Sequence, residues 1–308
     1  MSATVGPAAG VAVTPSLDLD GLREVARRIR VEIIRTVNHA RVGHIGGPLS
    51  EAEILAVLYF RVLRVRPDEP DWPDRDRFVL SKGHASIGLY AAMALRGYFL
   101  VEELLTFDAA HSRLQGHPDM TRLPGLDMST GSLGMGISAA MGMALGARLT
   151  GRSEVRAFVL LGDGECQEGE VWEAAMAAPR YGLDNLIAIV DHNRIQQYGW
   201  PGDGPDGRIP PQAPGELAAK WAAFGWRVIE ADGHDVADLS RALEEASDGD
   251  GRPAVVIAHT IKGKGVSFME GHWFWHTRAI KPEEYAVAMA ELGESLSAPA
   301  GADGASAR

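Results

Sequence analysis

Four short apolar runs, each rich in β-branched residues, limit what this chain can fold into. They are VRAFVLL (155–161), LIAIV (186–190), WRVIEA (226–231) and PAVVIAH (253–259). Each is short and mostly apolar, as expected of strands in a parallel sheet. Stretches with helical spacing separate them, at 168–180, 216–224 and 236–246. Strands alternating with helices imply βαβ units, and so an α/β fold with a parallel sheet covered by helices on both faces. In such sheets ligands bind at the carboxyl ends of the strands.

The segment before these runs reads as helical. Leu22, Val25, Ile29, Ile33 and Val37 repeat at helical spacing within residues 21 to 40, with Arg and Glu between them. Ser50 and Glu53 match a capping box opening a second helix, with Ile54, Leu55, Leu58 and Tyr59 on its buried face. A third helix is expected over Ala85 to Arg96, and a fourth after Gly136, where Ala, Gly and Met permit close packing. Residues 17–290 therefore read as one domain. Residues 1–16 read as a floppy arm and 291–308 as a disordered tail.

Charge and cysteine content narrow the function classes. A net charge of -11 argues against nucleic-acid binding and against a membrane surface. No apolar run approaches the ~18 residues of a membrane span, and the first 16 residues lack the basic start of a signal peptide. The single cysteine, Cys166, permits no intrachain disulfide, which fits a reducing compartment and a cytoplasmic location. Cys166 itself is expected to be a small soft residue packed behind a turn.

The stretch LLGDGECQEGE (160–170) carries the chemistry. An apolar run ends in Gly-Asp-Gly and is followed by Glu165, Glu168 and Glu170. Acids crowded at a strand end repel one another unless water, a basic group or a metal ion neutralises them. Asn193 follows the next run and lies thirty positions after Asp163, about one βαβ unit. Adjacent parallel strands would bring both side chains to one edge. An Asp carboxylate and an Asn amide oxygen are hard ligands suited to Mg²⁺, with Ca²⁺ an alternative. Gly162 and Gly164 let the backbone approach a ligand, and a helix starting near Glu168 turns free amides toward the same space, as a phosphate requires. A plain Asp-Gly turn with an N-capping role is the alternative; the paired Asn193 favours the metal-bridged phosphate.

The whole stretch GDGECQEGEVWEAAMAAPRYGLDNLIAIVDHNRIQQYG resembles the thiamine-diphosphate motif of transketolases. GHIGGPLS (43–50), LSKGHAS (80–86), QGHPD (115–119), STGSLGMGISAAMGMA (129–144) and TIKGKG…WHT (260–277) also resemble transketolase stretches, in the family's order. The resemblance runs from about residue 20 to 285. It implies the thiamine-diphosphate-binding fold, a thiamine diphosphate cofactor and a divalent metal held by Asp163, Asn193 and the Ile195 carbonyl. Gly164 matches the glycine whose amide approaches the diphosphate. Gly131 and Leu133 match a loop on the aminopyrimidine side. His44, His84, His117 and His276 match residues lining the reactive end, where imidazoles suit proton transfer and sugar hydroxyls. Glu168 matches a glutamate of a carboxylate relay across the dimer interface. Lys262 matches a lysine over the diphosphate, in a loop whose Trp273, Phe274 and Trp275 would pack on a partner or shape the substrate entrance. One departure is Gly47, where relatives often carry Ser.

The family's second part supplies the glutamate that activates the cofactor and much of the substrate-phosphate site. No motif of that part is found in this sequence. The resemblance therefore implies the N-terminal subunit of a split transketolase, with a C-terminal partner subunit (pyrimidine-binding domain plus C-terminal domain) in an α₂β₂ assembly. The expected reaction moves a two-carbon ketol from a ketose, phosphorylated, to an aldose. Two other readings stand beside it: a subunit loading a two-carbon unit onto a lipoyl or carrier-protein thiol, and a noncatalytic cofactor-binding regulatory subunit.

Overall fold

The computed structural model describes residues 17–197 and 216–295. The expected arm at 1–16 and residues 296–308 lie outside the described residues. A parallel sheet of five strands forms the centre: β1 (Arg77–Leu80), β2 (Ala157–Gly162), β3 (Leu186–His192), β4 (Arg227–Asp232) and β5 (Ala254–His259), in spatial order β1-β2-β3-β5-β4. Every neighbouring pair is parallel.

Nine α-helices are described: α1 (Leu19–Ala40), α2 (Gly46–Ser50), α3 (Ala52–Val57), α4 (Ser86–Arg96), α5 (Met135–Leu149), α6 (Gly169–Arg180), α7 (Glu216–Ala223), α8 (Val236–Ser247) and α9 (Pro282–Glu291). They cover both faces of the sheet, because successive strand side chains point to opposite sides. Phe158, Leu160, Ile187, Ile189 and Val256 join a core with α1, α3, α4, α8 and α9. Val159, Leu161, Ala188, Val190 and Val255 join a second core with α5, α6 and α7. β2, β3 and β5 are buried on both sides and have no polar face, so their runs read as continuous, whereas the edge strand β4 exposes Glu230 and Asp232 between buried Ile229 and Ala231.

Three local expectations differ from the structure. β1 (RFVL) falls in a segment that gave no strand signal, since four residues after DWPDRD are too short to show a pattern. Ser50 does not cap a helix. It ends α2, and its hydroxyl lies 2.8 Å from the Gly47 carbonyl and 2.5 Å from the Asp191 carboxylate. Glu53 instead pairs with the Arg30 guanidinium at 2.5 Å, tying α3 to α1. The ordered chain also runs past 290: Leu292 is buried, and Glu294 pairs with Arg27 of α1 at 2.9 Å.

Candidate active site

All five strands end on one edge, and the polar motifs follow them there. Ser81-Lys82-Gly83-His84 leaves β1, Asp163-Gly164 leaves β2, Asn193-Arg194-Ile195 leaves β3 and Thr260-Ile261-Lys262 leaves β5. The fifth contribution comes from before α2 and from the turn Trp273–His276. These two segments meet where the Ile45 amide donates to the His276 carbonyl and His44 bridges antiparallel to Thr277. The result is a cavity of about 740 Å³.

Eleven of the twelve residues that the sequence singles out line that cavity: His44, His84, Gly131, Leu133, Asp163, Gly164, Glu168, Asn193, Ile195, Lys262 and His276. The twelfth, His117, lines an adjoining chamber of about 610 Å³, which also borders His44. The rings of His44 and His117 lie 6.2 Å apart.

At the floor, Asp163 is buried and accepts from the amides of Gly164 at 2.7 Å and Arg194 at 2.6 Å. Arg194 adopts a left-handed conformation (φ 64°), which turns its amide to that carboxylate. Burial, and then the charge of Asp191, push the Asp163 carboxyl up to about 6. This carboxylate lacks full compensation from the protein, the condition in which a divalent cation binds best. The Asn193 carboxamide oxygen accepts from the Ile195 amide at 3.1 Å. The Ile195 carbonyl receives the Lys262 ammonium at 3.2 Å.

Lys262 is thus no solvated loop lysine. Its side chain is buried, and burial lowers its pKa to about 8. The same ammonium lies 2.9 Å from His276 Nδ1. An ammonium has only protons to give, so Nδ1 accepts and the ring's proton sits on Nε2. A positive group therefore already rests on one of the three oxygens expected to hold a metal. The donor set of one carboxylate, one carboxamide and one carbonyl fits a hard cation that keeps positions for phosphate oxygens. Among the described residues no three His, Cys, Asp or Glu side chains converge as a metal cage.

Three imidazoles pack together above this floor. Ring centroids are 5.0 Å apart for His44 and His84, and 5.1 Å apart for His44–His276 and His84–His276. Burial, then neighbouring rings and Lys262, lower their pKa values to about 4, 2 and 3 for His44, His84 and His276. At neutral pH all three are uncharged. They can donate one hydrogen bond and accept another without adding fixed positive charge.

The acids of the turn find different partners. Glu165 is buried; it accepts from Ser81 Oγ at 2.5 Å and from the amides of Gly134 at 2.8 Å and Gly162 at 3.0 Å. It ties β1, β2 and the start of α5 together. Glu168 is exposed at the N-cap of α6. Cys166 is buried with its thiol pKa raised by burial, a packing residue and no nucleophile. Trp275 packs in the core against Phe268, and Phe274 remains 40% exposed.

Beneath the cavity lies a group of charges that reading the sequence missed. Asp191 and Glu51 are both fully buried, and both pair with the Lys82 ammonium, Glu51 at 2.8 Å. Thr260 Oγ1 and Ser50 Oγ also donate to Asp191. An acid inside LIAIVDH and a lysine inside LSKGHAS were available signals, since neither belongs in an apolar interior without a partner.

Fold and edge chemistry together are those of an α/β domain that holds a diphosphate-bearing cofactor. The thiamine diphosphate binding domain of transketolase matches residues 22–299 as a family. A 6-deoxy-6-sulfo-D-fructose transketolase subunit from Clostridium sp. is 45% identical over 276 residues, covering 90% of this chain and 96% of that protein. One subunit of an apulose-4-phosphate transketolase from Phocaeicola vulgatus is 38% identical over 280 residues, covering 91% and 96%. The transketolase from Leishmania mexicana superposes with a TM-score of 0.80 at 33% identity, over 89% of this chain and 41% of the longer one. The chain belongs to the transketolase family, as its thiamine-diphosphate-binding domain. It spans nearly all of the two subunit relatives and about two-fifths of that solved transketolase. No helix among the described residues is long and apolar enough to cross a membrane.

Proposed function

We propose that this chain is the cofactor-binding subunit of a two-chain transketolase. It acts with a C-terminal partner subunit, in an α₂β₂ assembly, in the cytoplasm. The reaction is transfer of a two-carbon ketol from a ketose to an aldose. Both subunit relatives are named for ketoses with an anionic group, a sulfonate and a phosphate, so the donor is a ketose of that kind. The observation that carries the reading is the meeting of Asp163, the Asn193 oxygen and the Ile195 carbonyl at the ends of adjacent strands, with a buried ammonium on the last of them.

Asp163, Asn193 and Ile195 would hold Mg²⁺, or Ca²⁺, and through it the diphosphate. Lys262 would add a second positive charge on the same oxygens. Thiamine diphosphate supplies the electron sink for cleaving and forming the carbon–carbon bond. The neutral His44, His84 and His276 would hold sugar hydroxyls and exchange protons with a carbinol oxygen, and His117 would bind substrate from the adjoining chamber. Gly131, Leu133 and Glu168 line the cavity's outer side, where the aminopyrimidine would lie. All three are exposed, as a surface awaiting a second subunit would be.

The test is co-expression with the partner chain and a ketol-transfer assay with thiamine diphosphate and Mg²⁺, using phosphorylated and sulfonated ketoses. Transfer is expected only with both chains present and should vanish in Asp163→Ala. Transfer by the pure single chain would refute the two-chain reading. Undiminished transfer in Asp163→Ala would refute the metal site.

A further inference from the structure

The Asn193 side chain can do its proposed work only in one of two orientations, since a flip about its last torsion would aim NH₂ where the oxygen should be. Its surroundings decide between them. Nδ2 lies 3.1 Å from Asp191 Oδ2 and 3.4 Å from Ser50 Oγ, and Oδ1 takes the Ile195 amide. An ionised carboxylate has no proton to give, so only the amide nitrogen can face it favourably. Asp191 is held in turn by Lys82, Ser50 and Thr260, and is fully buried. Flipping Asn193 would set its oxygen against that carboxylate and aim its NH₂ at the Ile195 amide, two repulsions in one move.

We propose that Asp191 is the positioning residue of the cation site: anchored by Lys82, Ser50 and Thr260, it fixes the Asn193 carboxamide so that its oxygen faces the metal. This rests on the reading of Asp163, Asn193 and Ile195 given above. Outer partners of metal ligands characteristically tune affinity in this way. Asp191 touches neither metal nor substrate. Its role is to keep a ligand from being wasted in the wrong orientation. Lys82 belongs to the same device, because without an ammonium beside it a fully buried carboxylate would be too costly to keep ionised.

The experiment titrates Mn²⁺ into the full-length chain, assembled with thiamine diphosphate and its partner subunit, and reads free Mn²⁺ by electron paramagnetic resonance. Mn²⁺ takes the same oxygen ligands as Mg²⁺. Asp191→Asn should weaken Mn²⁺ binding by about 10- to 100-fold, since either face of a carboxamide can meet Asn193. The double variant Asp191→Asn/Asn193→Asp should recover much of that loss. It exchanges donor and acceptor, conserves net charge and presents the metal with a ligand whose two oxygens make a flip harmless. Asn193→Asp alone sets two carboxylates against each other and should bind Mn²⁺ more weakly than the double variant; equal affinity in the single and double variants would mark Asp191 as merely structural and overturn the inference. Should Asp191→Asn fail to fold, Ser50→Ala keeps the test open; it removes one partner of Nδ2 and is expected to weaken Mn²⁺ several-fold. Unchanged affinity in Asp191→Asn, or in Ser50→Ala if only that variant folds, overturns the inference while loss of binding in Asp163→Ala leaves the metal site standing. Wild-type affinity in Asp163→Ala would overturn the site, and the inference with it.

Discussion

At the scale of single residues, one ammonium serves two buried carboxylates, and it cannot satisfy both equally. Asp191 also receives two hydroxyls and an amide, and despite burial its pKa lies below the usual 3.8. Glu51 has Lys82 alone, and burial pushes it up from 4.5 to about 8. At neutral pH Glu51 therefore carries a proton. Between pH 4.5 and about 8 the folded chain holds one proton more than the unfolded chain at this position. With that sign, stability attributable to Glu51 is greatest below pH 4.5 and falls as pH rises toward 8. Glu51→Gln should keep stability near neutrality and flatten the decline between pH 4.5 and about 8, measured by chemical unfolding at a series of pH values. A steeper decline in the variant would contradict the assignment. Lys82→Met, in contrast, leaves Asp191 without its cation and should cost about 3–5 kcal/mol. Asp163 and Asn193 were legible in the sequence because each directly follows an apolar run. The lysine in LSKGHAS was a signal, but its pairing with Glu51 and with Asp191, 109 positions on, was not legible, because it joins segments distant along the chain.

Among the elements, a tight junction joins the end of β1 to the start of α5. Ser81 Oγ donates to Glu165, and the Gly136 amide donates to Ser81 Oγ at 3.2 Å. A Cβ added at Gly136 would come within 2.8 Å of Ser81 Cα, closer than such atoms approach. Two effects oppose each other in Gly136→Ala. Helix propensity favours alanine by about 1 kcal/mol, whereas forcing a methyl into a packed junction costs about 1–3 kcal/mol. The contact is with backbone, which cannot swing aside, so the cost should win. A lower melting temperature is expected, together with weaker retention of thiamine diphosphate, because the same junction carries Gly131 and Leu133. A stabilised variant would show that β1 and α5 can separate freely. The long elements were readable from periodicity, α1 and β2 through β5 nearly to their ends. β1 and the Ser50 hydroxyl were not. A four-residue strand has no period to detect, and the sequence pattern of a capping box cannot tell a cap from a hydroxyl held by a carboxylate 141 positions away.

For the whole molecule, the residues of the cavity's outer side belong to a larger open surface. Leu133 is 38% exposed, and beside it Met135 on α5 and Met176 on α6 are exposed by nearly half. In α5 only Gly136, Ile137, Ala140 and Ala144 are buried, although nearly every residue of the helix is apolar or small. A helix apolar all round belongs in an interior. Here one side has a core and the other has none. Glu168, matched to a relay between subunits, sits next to it, its Cβ within 2.7 Å of where a Cβ on Gly134 would lie. That surface is where the partner subunit is expected to dock. Gly142 lies on the open side of α5 with nothing within 4 Å of an added Cβ. Gly142→Arg should fold as well as wild type, or better by about 1 kcal/mol from helix propensity. A guanidinium in the middle of an apolar contact should nonetheless block assembly. The expected outcome is an unchanged or higher melting temperature for the single chain, a smaller mass by light scattering when it is mixed with the partner, and loss of ketol transfer. If the variant assembled and turned over normally, the open side of α5 would not be the docking surface, and the exposed Leu133 and Glu168 would need another explanation.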